Sequence, residues 1–180
     1  GVIDVWMPPV VTGMNIVVQI QKRYHGHAQQ IANALWGTSA AQWFFKNVMV
    51  VEEDIDLRDL EAREWAMAFR VNAGEDGVMT FGPSFGSVLD PSTRPEYSNI
   101  QKFGTARWTR VLIDATRNWT FDRNPDWNGR RMSPIAAMDP ELERKIAGRW
   151  EEYGIGVDYL DDGMREKMTL EELRKRFPDA

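Results

Sequence analysis

The stretch Phe45-Lys-Asn-Val-Met-Val-Val-Glu-Glu-Asp-Ile-Asp56, continued by Leu57-Arg-Asp-Leu-Glu-Ala-Arg-Glu-Trp-Ala-Met-Ala-Phe-Arg70, decides the fold. Val48, Met49, Val50 and Val51 form a short continuous apolar run. Such a run suits a strand covered on both faces, as strands of parallel sheets are. It ends in a cluster of acids and passes into an amphipathic helix, predicted over residues 57–71. Leu57, Leu60, Trp65, Ala68 and Phe69 fall near one face of that helix. Asp56 is its expected N-cap, because a carboxylate there can accept the helix's free amide hydrogens.

Working outward, residues 14–21 read as a strand. Ala28, Ile31, Ala32 and Leu35 recur at helical spacing, and Gly37 stands where that helix should stop. Val78-Met-Thr-Phe81 and Arg110-Val-Leu-Ile-Asp114 are further short strands. The β-α-β-α-β order predicts an α/β fold, a three-layer domain whose mostly parallel sheet is covered by helices. Residues 82–107 are rich in Gly, Pro and Ser and read as one long loop, of the length that usually carries function or disorder. Residues 118–134 are irregular. Asp139-Pro140 then starts a helix with Leu142, Ile146, Trp150 and Tyr153 at helical spacing. Thr169-Leu-Glu-Glu172 is a capping box for a last helix. The expected organisation is a core over 1–134 and a helical carboxy-terminal extension over 135–180, both within one domain.

Composition narrows the function classes. A chain of 180 residues can bury a real core. Its net charge is −5, with acids and bases interspersed, so there is no basic face for nucleic acid. Cysteine is absent, which removes disulfides and thiolate metal sites and agrees with a cytoplasmic location. No apolar run approaches the roughly 20 residues that a membrane span needs. Eight Trp, eight Phe and nine Met are many for one domain and serve cores and subunit contacts alike, so a homo-oligomer is expected.

Candidate chemistry, taken from residues alone, is sparse. Glu52, Glu53, Asp54 and Asp56 gather at the carboxyl end of a buried strand, where α/β sheets place ligands. They could hold a hard cation, or simply favour the positive end of the next helix. His25 and His27 do not share a helix face and have no third nitrogen or sulfur ligand nearby. Gly82-Pro-Ser-Phe-Gly86 matches no phosphate loop, and neither Ser84 nor Ser87 has a nucleophile elbow around it. Asp4 lies in no clear strand, so the paired acidic strand ends of a receiver-like module are not formed.

Several segments carry a resemblance. Glu53-Asp54-Ile55-Asp56 followed by Trp65-Ala-Met-Ala-Phe-Arg70 resembles the "D-D-x-D" and "W-A-x-x-x-R" of the carboxy-terminal domain of UbiD-like decarboxylases, with Glu in place of the first Asp. Val5-Trp-Met-Pro-Pro9, the strand Asn15–Ile20 and Gly26-His27-Ala28 are similar to the opening of that domain. Leu89-Asp-Pro-Ser92 stands where the family often has "L-D-P-S". Asn124–Arg131 and Trp150–Gly154 resemble the family's tail.

The resemblance implies a carboxy-terminal portion of a longer or divided enzyme that reversibly decarboxylates aromatic or α,β-unsaturated acids. The family's cofactor is a prenylated flavin mononucleotide held with manganese and potassium. Its Arg-Glu-Glu catalytic set and metal ligands lie in domains outside these residues. This chain alone is therefore expected to bind no cofactor and to be inactive, its partners being the remaining domains of the parent enzyme and a small acid substrate. The resemblance also assigns the loop Phe85, Gly86, Ser87, Val88 and Leu89 to the substrate pocket, which it would cover from the carboxy-terminal side; an ordinary surface loop is the plainer alternative. A non-catalytic α/β interaction module, or a subunit of a multi-chain carboxylase, is the second reading of the whole chain.

Overall fold

The computed structural model describes residues 1–11, 13–132, 140–149 and 152–153. Five strands form one sheet in the order β1-β2-β3-β5-β4: β1 (Val2–Trp6), β2 (Asn15–Ile20), β3 (Asn47–Glu52), β4 (Val78–Gly86) and β5 (Ala106–Asp114). Helix α1 (His27–Trp36) connects β2 to β3, α2 (Leu60–Arg70) connects β3 to the edge strand β4, and a one-turn helix α3 (Ile100–Phe103) precedes β5.

The apolar run of β3 is continuous because both of its faces are covered. Val48 and Val50 join Ile16, Val18 and Ile20 of β2 and Leu112 of β5 against Ala28, Ala32 and Trp36 of α1. Residues of the opposite parity, Val17 and Val51, pack with Ile55, Leu57 and Ala66 of α2 on the other side. Alternation along a strand sends neighbours to opposite faces, so a run without alternation requires two cores. Val48, Val50 and Val51 are all fully buried, each stabilising by about 1.5–3 kcal/mol. The three layers expected from the sequence are present.

The sheet is mixed rather than mostly parallel. β2–β3 and β3–β5 are parallel, but β1–β2 and β4–β5 are antiparallel. The difference lies at the edges. β1 was not foreseen, because an edge strand with most side chains half-open to water lacks a clear apolar pattern; Asp4 lies within it. β4 runs through Gly82-Pro83 to Gly86, where a long loop was expected. Between Phe81 and Ser84 the register shifts by one residue, a bulge that places Gly82 and Pro83 on an edge strand, where a missing amide donor is tolerated. The irregular connection is thus shorter, from Ser87 to Thr105.

Helix α2 begins three residues later than predicted. Leu57 turns into the core and is 1% exposed, so the chain cannot start its helix there. Asp59 is the cap, its Oδ1 accepting from the amides of Glu61 and Ala62 at 2.9 and 3.2 Å. Asp56 instead accepts from the Arg58 amide at 2.8 Å in the preceding turn.

The chain separates into two compact units, residues 1–135 and 136–180. In the second, α4 (Pro140–Ala147) starts at the expected proline. Asp139, Trp150 and the Thr169–Glu172 capping box lie outside the described residues.

Candidate functional site

The amino ends of β2 and β3 open into an apolar groove of ≈ 780 Å³. One wall is the single turn Pro9–Val11 with Met14. The facing wall is Trp43 and Phe44, just before β3. Ser87, Leu89 and Pro91 close the side after β4. The rim is unusually bare: Val10 is 88% and Leu89 78% exposed, and Trp43 and Phe44 are also open. Contiguous apolar surface of this kind marks a place where something else docks or binds.

These walls are held by buried polar groups. Arg110 projects from β5 into the interior and is 0% exposed, and among the described residues no carboxylate lies within ion-pair distance of it. Its Nη1 donates to the Phe44 and Phe45 carbonyls, both at 2.9 Å. Its Nη2 donates to the Ala41 and Phe85 carbonyls at 2.5 and 3.0 Å, and its Nε to Ser84 Oγ at 3.2 Å. The guanidinium lies over the Phe85 and Trp108 rings at 4.8 and 5.3 Å. Burial without an anion lowers its pKa to about 10, so the group is still a cation at neutral pH. A planar fork with five donors can satisfy several carbonyls at once, and here it ties the 41–45 wall to the end of β4.

The Phe44–Phe45 turn is otherwise strained. Phe45 has φ +62°, and Gly13, at φ +75°, lies so close to Phe44 that a Cβ there would approach the ring to 2.7 Å. Phe45 is fixed by its amide N–H donating to the Gly13 carbonyl and by Trp36 Nε1 donating to the Phe45 carbonyl, both at 2.9 Å. Such backbone persists only where its surroundings over-determine it.

The Leu89-Asp-Pro-Ser92 motif is anchored from below. Lys46 Nζ donates to Asp90 Oδ2 at 2.6 Å and to Ser92 Oγ at 2.5 Å, and the Ser92 amide donates to Asp90 Oδ1 at 2.9 Å. Burial pushes the Asp90 carboxyl up, but Lys46 and Ser92 outweigh it and hold the pKa below the ordinary carboxylate value. Ser87 Oγ accepts from the Leu89 amide at 3.1 Å. Leu89 is therefore presented outward from a pinned turn.

The five residues assigned to the pocket from the sequence do not act alike. Ser87 and Leu89 line the groove. Val88 is half-buried beside them. Phe85 faces a separate shallow hollow with Phe81 and Phe103. Gly86 is buried under Trp108, where a Cβ would fall 2.0 Å from the indole. Its bareness serves packing, and the sequence carried no sign of that because Trp108 is a strand neighbour, not a sequence neighbour. Arg110 was read only as the start of a strand. An arginine alternating with Trp108 and Leu112 on an inward face was the available signal; Arg110 shares that parity.

The acids at the other end of β3 are paired rather than clustered. Glu52 Oε2 accepts from the Arg117 amide and from its Nε at 2.5 and 2.9 Å. Asp54 takes a two-pronged contact from Arg70, at 3.1 and 2.5 Å. Burial raises the Asp54 carboxyl, while Arg70 and Arg117 lower it further, and the net is downward. Arginine side chains neutralise Glu52 and Asp54, and the helix cap is Asp59 rather than Asp56. Among the described residues no group of three His, Asp or Glu side chains is placed to hold a metal. His25 contacts Asp76 at 3.5 Å, and His27 is buried at the start of α1.

The groove's donor set does not suit a flavin phosphate or its metals. Asp90 is the one charged side chain in the lining, and Lys46 already occupies it.

Residues 1–115 match the sequence model of the 3-octaprenyl-4-hydroxybenzoate carboxy-lyase C-terminal domain, UbiD_C. Among solved structures, the chain is similar to the UbiD-class enzyme HmfF from Pelotomaculum thermopropionicum in complex with FMN, at 28% identity and a TM-score of 0.60, over 82% of this chain and 28% of that one. It is similar to vanillic acid decarboxylase of Sedimentibacter hydroxybenzoicus in its closed form, at 29% identity and 0.60, over 82% and 28%. The apo 3,4-dihydroxybenzoic acid decarboxylase of Klebsiella pneumoniae matches at 26% identity and 0.52, over 74% and 26%. The chain spans little more than a quarter of the length of these proteins.

Proposed function

The chain belongs to the UbiD family as its carboxy-terminal domain, and on that premise we propose that it closes the substrate pocket of a reversible decarboxylase acting on aromatic or α,β-unsaturated carboxylic acids. Members of the family are carboxy-lyases. The observation that carries the reading is the apolar groove with Leu89 held at its mouth. Planar acid substrates need a dry, apolar wall, and an exposed leucine on a pinned turn supplies one at little conformational cost. The prenylated flavin, with manganese and potassium, would be held by the other domains of the complete enzyme. Prenylated flavin would supply the electron sink for loss of carbon dioxide. What these residues contribute is shape and exclusion of water.

The same reading makes the isolated chain inactive and an oligomer of the complete enzyme its working form. Val2, Ile3 and Val5 on edge strand β1 are each about half exposed, and support an interface there. A clean monomer by sedimentation of the complete enzyme at high concentration would count against the oligomer.

The pocket role is tested in the flavin-loaded complete enzyme with Leu89→Ala and Val88→Phe. A methylene of fit in an apolar pocket is worth roughly 10- to 200-fold in specificity. Leu89→Ala should therefore shift kcat/KM toward bulkier acids by about that range, at unchanged melting temperature. Val88→Phe should reject them. An unchanged ranking of acids in both variants would show that the turn is only structural.

A further inference from the structure

Beyond the carboxyl ends of β3 and β5 lies a second concavity, ≈ 320 Å³, that the decarboxylase reading does not use. Arg117, Arg123, Arg130 and Arg131 line it, with Trp119 forming part of its wall. Its one acid, Glu52, is already bound by Arg117. Among the described residues, no carboxylate lies within ion-pair distance of Arg123, Arg130 or Arg131. That is unexpected in a chain with 27 acids against 22 Lys and Arg. Like charges gathered in one hollow repel unless an anion relieves them.

The arginines are also positioned rather than loose. Arg123 Nη1 donates to the Gly129 carbonyl at 3.1 Å, and Arg131 Nη1 donates to the Phe121 carbonyl. The segment between them is closed by the Asn124–Arg130 bridge and by Asn124 Oδ1 accepting from the Asp126 amide at 2.9 Å. The Arg123 and Arg131 guanidinium groups each spend one bond on backbone and keep the rest of their five donors for a ligand. Lys22 Nζ, 5.9 Å from the centre of the Trp119 ring, adds positive charge behind that wall.

We propose that this concavity is a binding site for a phosphate group. Arginine forks match the oxygens of a phosphate two at a time, and several forks around one hollow favour a dianion over a monocarboxylate. The volume admits more than the anion alone, so a phosphate monoester with a ring stacked on Trp119 fits the same site. The site is separate from the apolar groove and does not depend on it.

Titration calorimetry of this chain with inorganic phosphate, and in a second arm with adenosine monophosphate, tests the assignment at constant ionic strength. Saturable binding is expected in both arms, tighter for the nucleotide if Trp119 stacks on the ring and equal if phosphate alone is recognised. The double variant Arg123→Gln/Arg130→Gln removes exposed side chains, so its melting temperature should match the parent's, and binding should weaken at least about tenfold. Acetate and chloride at equal ionic strength should not compete. Absence of saturable phosphate binding, equal affinity in the double variant, or equal competition by acetate and chloride would each overturn the site.

Discussion

At the amino ends of β2 and β3 the side chains turned outward are Val10, Trp43, Phe44 and Leu89; at the carboxyl end of β3 they are Glu53 and Asp54, with Arg117 bridging them. The two ends reverse the usual arrangement of charge. At the amino end the charges, Arg110 and the Lys46–Asp90 pair, are turned inward, where backbone carbonyls and a serine satisfy them, and apolar groups face water. At the carboxyl end Glu53 and Asp54 reach the surface, while their neighbours Glu52 and Arg70 stay buried. Buried polar groups with full partners hold one geometry and feel little salt, whereas exposed pairs are screened and individually weak. A surface that must present a fixed apolar shape therefore lies at the amino end, and one that must attract an ion lies at the other.

The comparison breaks most decisively at Arg110. Arg110→Met should destabilise the chain by about 3–5 kcal/mol, since it strands the carbonyls of Ala41, Phe44, Phe45 and Phe85 in the interior. Urea unfolding measures this; a loss below about 1 kcal/mol would mean that the amino-end walls stand without the arginine. Gly86→Ala comes next. Its new methyl group meets the Trp108 ring, itself held by Nε1 donating to Thr93 Oγ1 at 3.0 Å, and overpacking of this kind costs about 1–3 kcal/mol. A melting temperature within a degree of the parent's would show that the indole moves freely.

Acid sharpens the contrast further. Asp90 and Asp54 both have folded pKa values below the ordinary carboxylate value. Each therefore contributes stability above the unfolded value of about 3.9, and that contribution is lost as pH falls through the folded value. The two should differ in salt. Asp54→Asn should cost about 1–3 kcal/mol at neutral pH, because it leaves the buried Arg70 guanidinium without its carboxylate, and less in high salt, because Asp54 itself is partly open to water; the cost of Asp90→Asn should not change with salt. Denaturant titrations at low and high salt separate them, and equal salt dependence would erase the distinction between the two ends. The smallest effect belongs to Leu89→Ala, which should change stability by no more than about 0.5 kcal/mol because the side chain is 78% exposed. A larger loss would make Leu89 part of the core rather than a wall offered to a ligand.

Signals confined to neighbouring residues were legible from the sequence. The Val48–Val51 run announced a strand buried on both faces, and the structure packs it between two cores. The order of segments resembling the UbiD family located the domain that the sequence model then matched over residues 1–115. Edges and termini of elements were less legible. β1 has no buried face to impose alternation, and Pro83 reads as a break although an edge bulge tolerates it. Asp56 was the expected cap, and the inward turn of Leu57 moves the helix start and its cap to Asp59.

The sequence by itself determined the α/β class and the double-faced central strand, since both depend on spacing along a short length of chain, and its motifs carried the resemblance to the family. Tertiary structure alone decided which side chains meet. Arg110 reaches carbonyls 25 to 69 residues away, Gly86 is bare because Trp108 lies across the strand pair, and Arg117 neutralises Glu52 across 65 residues. Contacts at such separations are set by strand register and by the order of strands in the sheet, and neither leaves a periodic mark on the residues that meet.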